Sequence, residues 1–265
     1  MTELAAVIRF ELSRTFTTVR AAWWFVLAGF PIVIAILIRV FPMSRATEDP
    51  DVDLYAIWSV ALYFLVPCIT CAMGVLLSAA PVIANELEQR SWVYLATRPN
   101  GIFWLLAGKY VVAVGWTTTA ALCGLTGAML FTGLDTWVRL WLSLSGLSVL
   151  SAMAYAAVFL LIGTLFPRRA MVSCVAYTAA VEGMISLIPA VINRLTVQYR
   201  LRSLFVEWAQ PGDSISANPL FASILADGSS LLQLLWLLTL GGVLLSTALV
   251  VAHKREFTAA AETDV

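Results

Sequence analysis

The stretch Trp141-Leu-Ser-Leu-Ser-Gly-Leu-Ser-Val-Leu-Ser-Ala-Met-Ala-Tyr-Ala-Ala-Val-Phe-Leu-Leu-Ile-Gly-Thr-Leu-Phe166 carries no ionisable acid or base, and it stops at Pro167-Arg168-Arg169. A bilayer core about 30 Å thick needs about 20 apolar residues of helix to cross it. This run exceeds that length, and in hydrocarbon a lone segment satisfies its own backbone only as a helix. Working outward, five more runs have the same character: 22–41, 57–80, 102–131, 170–192 and 229–252. The 102–131 run is long enough to tilt or to extend past the lipid. The expected fold is all-α and polytopic, with about six spans in a single transmembrane domain over residues 1–265.

Composition agrees. The chain is 61% hydrophobic and 12% charged, against about 25% charged for an ordinary globular domain. Formal net charge is zero, so no basic field points to nucleic acid. A soluble nuclear or cytosolic role is excluded. Residues 1–21 hold Glu3, Arg9, Glu11, Arg14 and Arg20 ahead of a long apolar run, with no small-residue cleavage pattern, so the first span reads as a retained anchor.

Orientation follows the basic residues. With both termini inside a cytoplasmic or inner membrane, the inner pieces hold nine: Arg9, Arg14, Arg20, Arg90, Arg98, Arg168, Arg169, Lys254 and Arg255. The outer pieces hold five: Arg45, Arg139, Arg194, Arg200 and Arg202. Arg168 and Arg169 anchor a tight inner turn. Trp23, Trp24, Trp58, Trp104, Trp137 and Trp141 stand near span ends, where amphipathic indoles favour headgroup depth. Lys109 and Arg39, just inside span ends, are placed to snorkel outward.

Three segments are neither span nor plain loop. Leu4, Ile8, Leu12 and Phe16 recur at intervals of four within 2–20, which predicts a helix along the inner membrane surface. In the outer segment 193–228, residues 199–209 repeat the idea of a surface helix on the outer side: Leu201, Leu204, Phe205 and Trp208 form one face, with Arg200, Arg202 and Glu207 elsewhere. The third, 81–98, lies between spans two and three. It begins at Pro81, which suits a first turn or a bend. Glu86 stands four residues before Arg90, a favourable helical pair. Ile83, Leu87 and Tyr94 share a face, and Arg98-Pro99-Asn100-Gly101 ends the element. The residues leave two readings open: a helix that a soluble partner grips, or one that rests on headgroups.

This segment resembles the cytoplasmic coupling region of ABC-2 type transporter permeases. That pattern is an acidic pair, an aromatic-rich stretch, Arg-Pro, and a Lys shortly into the next span. Glu86, Glu88, Trp92, Tyr94, Arg98, Pro99 and Lys109 match it in order. The likeness extends over most of the chain, through short motifs. It takes in the six-span layout, the surface helix before span one, the irregular stretch before the last span, and Glu182 in span five. The resemblance implies a permease subunit that pairs with a second copy or a related permease. Separate ATP-binding cassette subunits would drive it, moving an unidentified substrate, export being the commoner direction, by alternating access. It also implies that Glu86, Glu88, Arg90, Trp92 and Arg98 couple the spans to the ATPase.

The residues bear on the engine directly. No G-x-x-x-x-G-K-[ST] is present, and Gly108-Lys109-Tyr110 has the wrong spacing. His253 is the only histidine, and neither H-E-x-x-H nor G-x-S-x-G occurs. The expectation is no catalytic, cofactor or metal site in this chain. Cys68 and Cys71 have CxxC spacing but read as packing on one helix face. Glu182 is the one acid deep in a span, read either as part of a substrate path or as a structural tie to a neighbouring helix. Ala120, Gly124 and Ala128 line one face of span three, either for packing or as a seam between copies. Two other classes remain alternatives: a membrane scaffold or assembly factor, and a secondary transporter, for which there is no inverted repeat.

Overall fold

The computed structural model describes residues 17–40, 53–88, 92, 97, 100–134, 137–184, 193, 196–211 and 229–254. Among the described residues regular structure is helical throughout, and five helices are long and apolar enough to cross a membrane. They are α1 (Thr18–Val40), α2 (Leu54–Glu88), α3 (Gly101–Met129), α4 (Trp137–Leu165) and, last in the chain, α7 (Ser230–Lys254). Between α4 and α7 lie α5 (Ala170–Tyr177), which continues as a π-helical segment Thr178–Met184, and α6 (Val197–Ala209). The sequence-predicted fifth span, 170–192, is thus helical as far as Met184, and 185–192 lie outside the described residues. So do residues 2–16 of the expected surface helix and residues 212–228 of the outer segment.

The helices alternate in direction. Trp24 of α1 donates to Thr119 of α3 at 3.2 Å, and Arg39 donates to the Phe131 carbonyl just past the end of α3 at 2.6 Å. These two helices therefore run parallel, while α2 runs back between them. The bundle has a near end, with Thr18, Glu88, Gly101 and Lys254, and a far end, with Val40, Leu54, Ala209 and Ser230. Arg39 satisfies a carbonyl at the far end, as expected for a cation at a helix C-terminus.

α4 is the hub. Two-thirds of its most apolar stretch (67%) is buried, against 22% for α1 and 11% for α7, which present most of their surface outward. Its buried side chains include many small ones, Ser148, Ser151, Ala152, Ala156, Ala157 and Gly163, among larger ones such as Leu147, Tyr155 and Phe159. Lipid is as apolar as leucine, so helices associate through close packing, which small residues permit. At Gly163 the approach is closest. A Cβ there would stand 2.6 Å from the Ala80 carbonyl oxygen of α2. That contact falls where α2 loosens into a turn at Ala80-Pro81 before resuming over Val82–Glu88. Pro81 bends the helix without ending it, because Asn85 donates back to the Pro81 carbonyl at 2.9 Å. The expected separate helix over 81–98 is instead, through Glu88, a continuation of α2.

The small face of α3 is covered by α1. A Cβ on Gly124 would meet Pro31 Cγ at 2.6 Å and the Ala28 carbonyl at 2.8 Å, and Ala120 and Ala128 are fully buried. Packing within the chain uses this face, which leaves no room there for a seam between copies. Trp58, in the first turns of α2, is 1% exposed and belongs to the core cluster. Trp23 and Trp137 do face outward.

Gly163→Ala forces the α2–α4 crossing apart. Thermal unfolding in detergent should show a loss of about 1–3 kcal/mol, the range for overpacking a tight site. Gly115→Ala, which meets nothing within 4 Å, should leave the midpoint within experimental scatter.

Candidate functional site

Two irregular helical segments bring polar side chains to the middle of the bundle. In α2 the stretch Phe64–Thr70 is π-helical around Pro67. Proline lacks the N–H that an α-helix would use, and its ring crowds the preceding turn, so the helix widens. Two carbonyls of this segment take side-chain donors: Ser151 of α4 donates to the Pro67 carbonyl, and Thr70 donates to that of Leu65 at 2.8 Å. The second π-helical segment, Thr178–Met184, carries Glu182.

Glu182 faces the start of α6. Its Oε1 accepts from the Val197 backbone N–H at 3.1 Å and from the Tyr177 hydroxyl at 2.8 Å. Its Oε2 accepts from the Gln198 N–H at 2.9 Å. Thr196 supplies the ordinary N-cap, its hydroxyl accepting from Tyr199 N–H at 3.3 Å. A carboxylate on the first N–H groups of a helix joins charge-assisted hydrogen bonds to a favourable helix dipole. Of the two readings of Glu182, the geometry supplies the structural tie, though the partners are backbone amides and a tyrosine.

Gln198, one residue into α6, extends the cluster. Its Nε2 donates to the Tyr155 hydroxyl of α4 at 2.7 Å. Its Oε1 accepts from the Tyr63 hydroxyl at 3.1 Å and from the Cys68 thiol at 3.2 Å, both on α2. Tyr63 stacks on Phe205 of α6 with ring centroids 4.5 Å apart, and the Cys71 thiol points to the Ser148 carbonyl. One amide therefore pins α6 to both α2 and α4. Arg202, expected off the apolar face of this helix, is 5% exposed and lies beside this group. α6 is a plug in the far half of the bundle, held by Leu201, Leu204 and Phe205 on one side and by polar contacts on the other.

A separate constellation lies at the near end. Glu86 is 3% exposed and Lys109 of α3 is 8% exposed, with Lys109 Nζ 3.2 Å from Glu86 Oε1. Lys109 does not snorkel outward as expected but meets Glu86 across the α2–α3 contact, while Arg90, the expected helical partner of Glu86, lies outside the described residues. A carboxylate buried against a neighbouring helix needs a cation within reach, and Lys109 is the one that α3 brings. Trp92 is likewise buried in the core cluster. Glu88 is exposed, and Arg98 lies outside the described residues. Of the described coupling candidates, Glu86 and Trp92 hold the segment to the bundle, and Glu88 alone is presented outward.

Sequence reasoning missed Gln198, Tyr155 and Tyr63. The available signal was the presence of hydrogen-bonding side chains inside apolar runs, which demand partners in hydrocarbon; their identity depends on helix neighbours. Compared with known proteins, the chain matches no family model and no curated protein.

Glu182→Ala strands two backbone N–H groups and a hydroxyl in the interior. It should cost roughly 2–5 kcal/mol by unfolding in detergent, with trypsin cleavage near α6 appearing first. For the ion pair, Glu86→Gln and Lys109→Met singly should each cost about 3–5 kcal/mol, whereas the double variant should recover most of the loss. Additive losses in that cycle would show that the pair is not coupled.

Proposed function

We propose that this chain is the permease subunit of an ABC transporter, moving its substrate by alternating access under the drive of a separate ATP-hydrolysing subunit. In this reading it has six spans and two inward termini, works as a pair, and meets the ATPase at the near end, on the cytoplasmic side. The observation that carries the reading is the way the end of α2 and Trp92 are anchored. Ile83 and Trp92 are core residues, and the Glu86–Lys109 pair joins the end of α2 to α3. A force applied at exposed Glu88 is therefore delivered to two long helices instead of being lost in a loose loop.

The same helix then links the two ends of the molecule. α2 carries Glu88 at the near end and, within the bundle, Tyr63 and Cys68, which hold Gln198 of α6. A shift of α2 along or about its axis strains those two hydrogen bonds. In this mechanism α6 is the far-side closure, Glu182 its hinge-side anchor and Gln198 its latch. ATP-driven movement of α2 releases the latch, and the substrate path opens toward the far side, the direction of export. The resemblance of the 81–109 pattern to ABC-2 permeases supports the same reading.

The test is affinity purification of the tagged chain from detergent-solubilised native membranes. An ATP-binding cassette protein should co-purify at near-equal stoichiometry, and Glu88→Lys should remove it while the permease stays folded. Absence of any ATPase with a folded permease would replace this reading with a scaffold or a secondary transporter. In the reconstituted pair, Glu182→Gln should preserve assembly and lower ATP-driven transport; unchanged transport would remove Glu182 from the moving parts.

A further inference from the structure

The two halves of α7 are held differently. Four of its residues are buried: Gln233 and Leu237 in the far half, Ala248 and Ala252 in the near half. Gln233 is the polar one of the four, and a polar side chain buried in a span takes a partner from a neighbouring helix. Arg200 of α6 serves it, with Nη1 donating to Gln233 Oε1. The Arg200 guanidinium also lies 5.2 Å from the centre of the Trp236 ring, one turn further along α7, within the range at which a cation is attracted to an indole face. At the start of α7 the Ser230 N–H donates to the Glu207 carboxylate at 3.4 Å. Ser230, Gln233 and Trp236 thus fasten the far half of α7 to α6.

On α6 itself, Gln198 and Arg200 are two residues apart, about 200° round a helix of 3.6 residues per turn. One side of α6 is therefore latched to α2 and α4 through Gln198, and the other is strapped to α7 through Arg200. The latch is made of neutral groups and the strap includes a charged one, and hydrogen bonds to charged groups are the stronger.

Between the two halves of α7 stand Gly241 and Gly242. Glycine in a helix interior costs stability relative to alanine, because its backbone has more freedom to lose. At Gly124 and Gly163 the missing Cβ is used, since one added there would stand 2.6 Å from a neighbouring helix. At Gly241 and Gly242 an added Cβ meets nothing within 4 Å. Packing within the chain requires neither glycine, and small residues placed side by side are among the few features at which a helix bends sharply.

We propose that Gly241-Gly242 is the hinge of the far-side closure. α6 and residues 230–240 of α7 form one body, which swings about the glycine pair when the Gln198 latch opens, while residues 243–254 stay with the bundle. This rests on the reading of α6 as a closure and adds the axis on which it turns.

The test uses the full-length chain in detergent, with its exposed Cys123 changed to Ala and pairs of spin labels on cysteines introduced at exposed positions. Gln210→Cys with Leu235→Cys reports α6 against the far half of α7. Gln210→Cys with Leu142→Cys reports α6 against α4. Gln198→Ala opens the latch; it should broaden the second distance distribution and shift it to longer values, and leave the first as narrow as before. Adding Gly241→Ala and Gly242→Ala should restore the narrow second distribution and raise the thermal unfolding midpoint. Broadening of both pairs by Gln198→Ala, or of neither, would overturn the single body. A second distribution still broad after the glycine changes would overturn the hinge, and loss of a dimer in the same variant would assign the glycines to a seam between copies. Should Gln198→Ala not fold, Tyr63→Phe removes a single donor from Gln198 and carries the same expectations. No ATPase or substrate enters the measurement, so failure of the transport reading leaves its outcome standing.

Discussion

A helix that begins inside a membrane protein exposes its first N–H groups where no water reaches them, and α6 begins in that way. Each such group left unpaired in hydrocarbon costs several kcal/mol by transfer estimates, roughly. Glu182 resolves the problem for Val197 and Gln198, and Thr196 resolves it for Tyr199. Much else follows from this arrangement. The π-helical segment of 178–184 brings Glu182 to that end, Tyr177 completes its acceptor set, and α6 can then sit between α4 and α7 as a packed element. Side-chain donors also serve two carbonyls around Pro67. Irregular backbone is tolerated at membrane depth only where protein covers it, and the π-helical segment of α2 packs against the α4 hub.

Packing around α4 depends on what its side chains lack. Gly163 and the buried alanines allow α2 to come within backbone contact, and Gly124 allows α1 the same approach to α3. Close contact replaces the hydrophobic driving force that lipid removes. The outward helices, α1 and α7, follow from this geometry, since they cover α3 and α4 on one side and meet lipid on the other.

The near end holds charge under different rules. Glu86 and Lys109 neutralise each other between α2 and α3, and Glu88, two residues on, is left for the outside. Lys109 also lines a cavity between α1, α2 and α3, so the interhelical tie and that cavity share one side chain.

Much of the architecture was legible in the chain alone. Five of the expected spans are long apolar helices, four of them within about four residues of their expected limits and the second running on past its expected end to Glu88, because hydropathy over about 20 residues is a local property. The helix of 197–209 and the packing face of Ala120, Gly124 and Ala128 were legible for the same reason, through periodicity and residue size. The contact of Glu86 with Lys109 was not, because Lys109 becomes a neighbour only when α3 packs on α2. Nor was the burial of Arg202 and Trp58, or the latch from Gln198 to Tyr63, Cys68 and Tyr155. Sequence determined which segments belong in the membrane, since that is decided residue by residue against lipid. Only the tertiary structure decided which polar groups are shared and which are presented, since a buried polar group takes its partner from another helix brought alongside by packing.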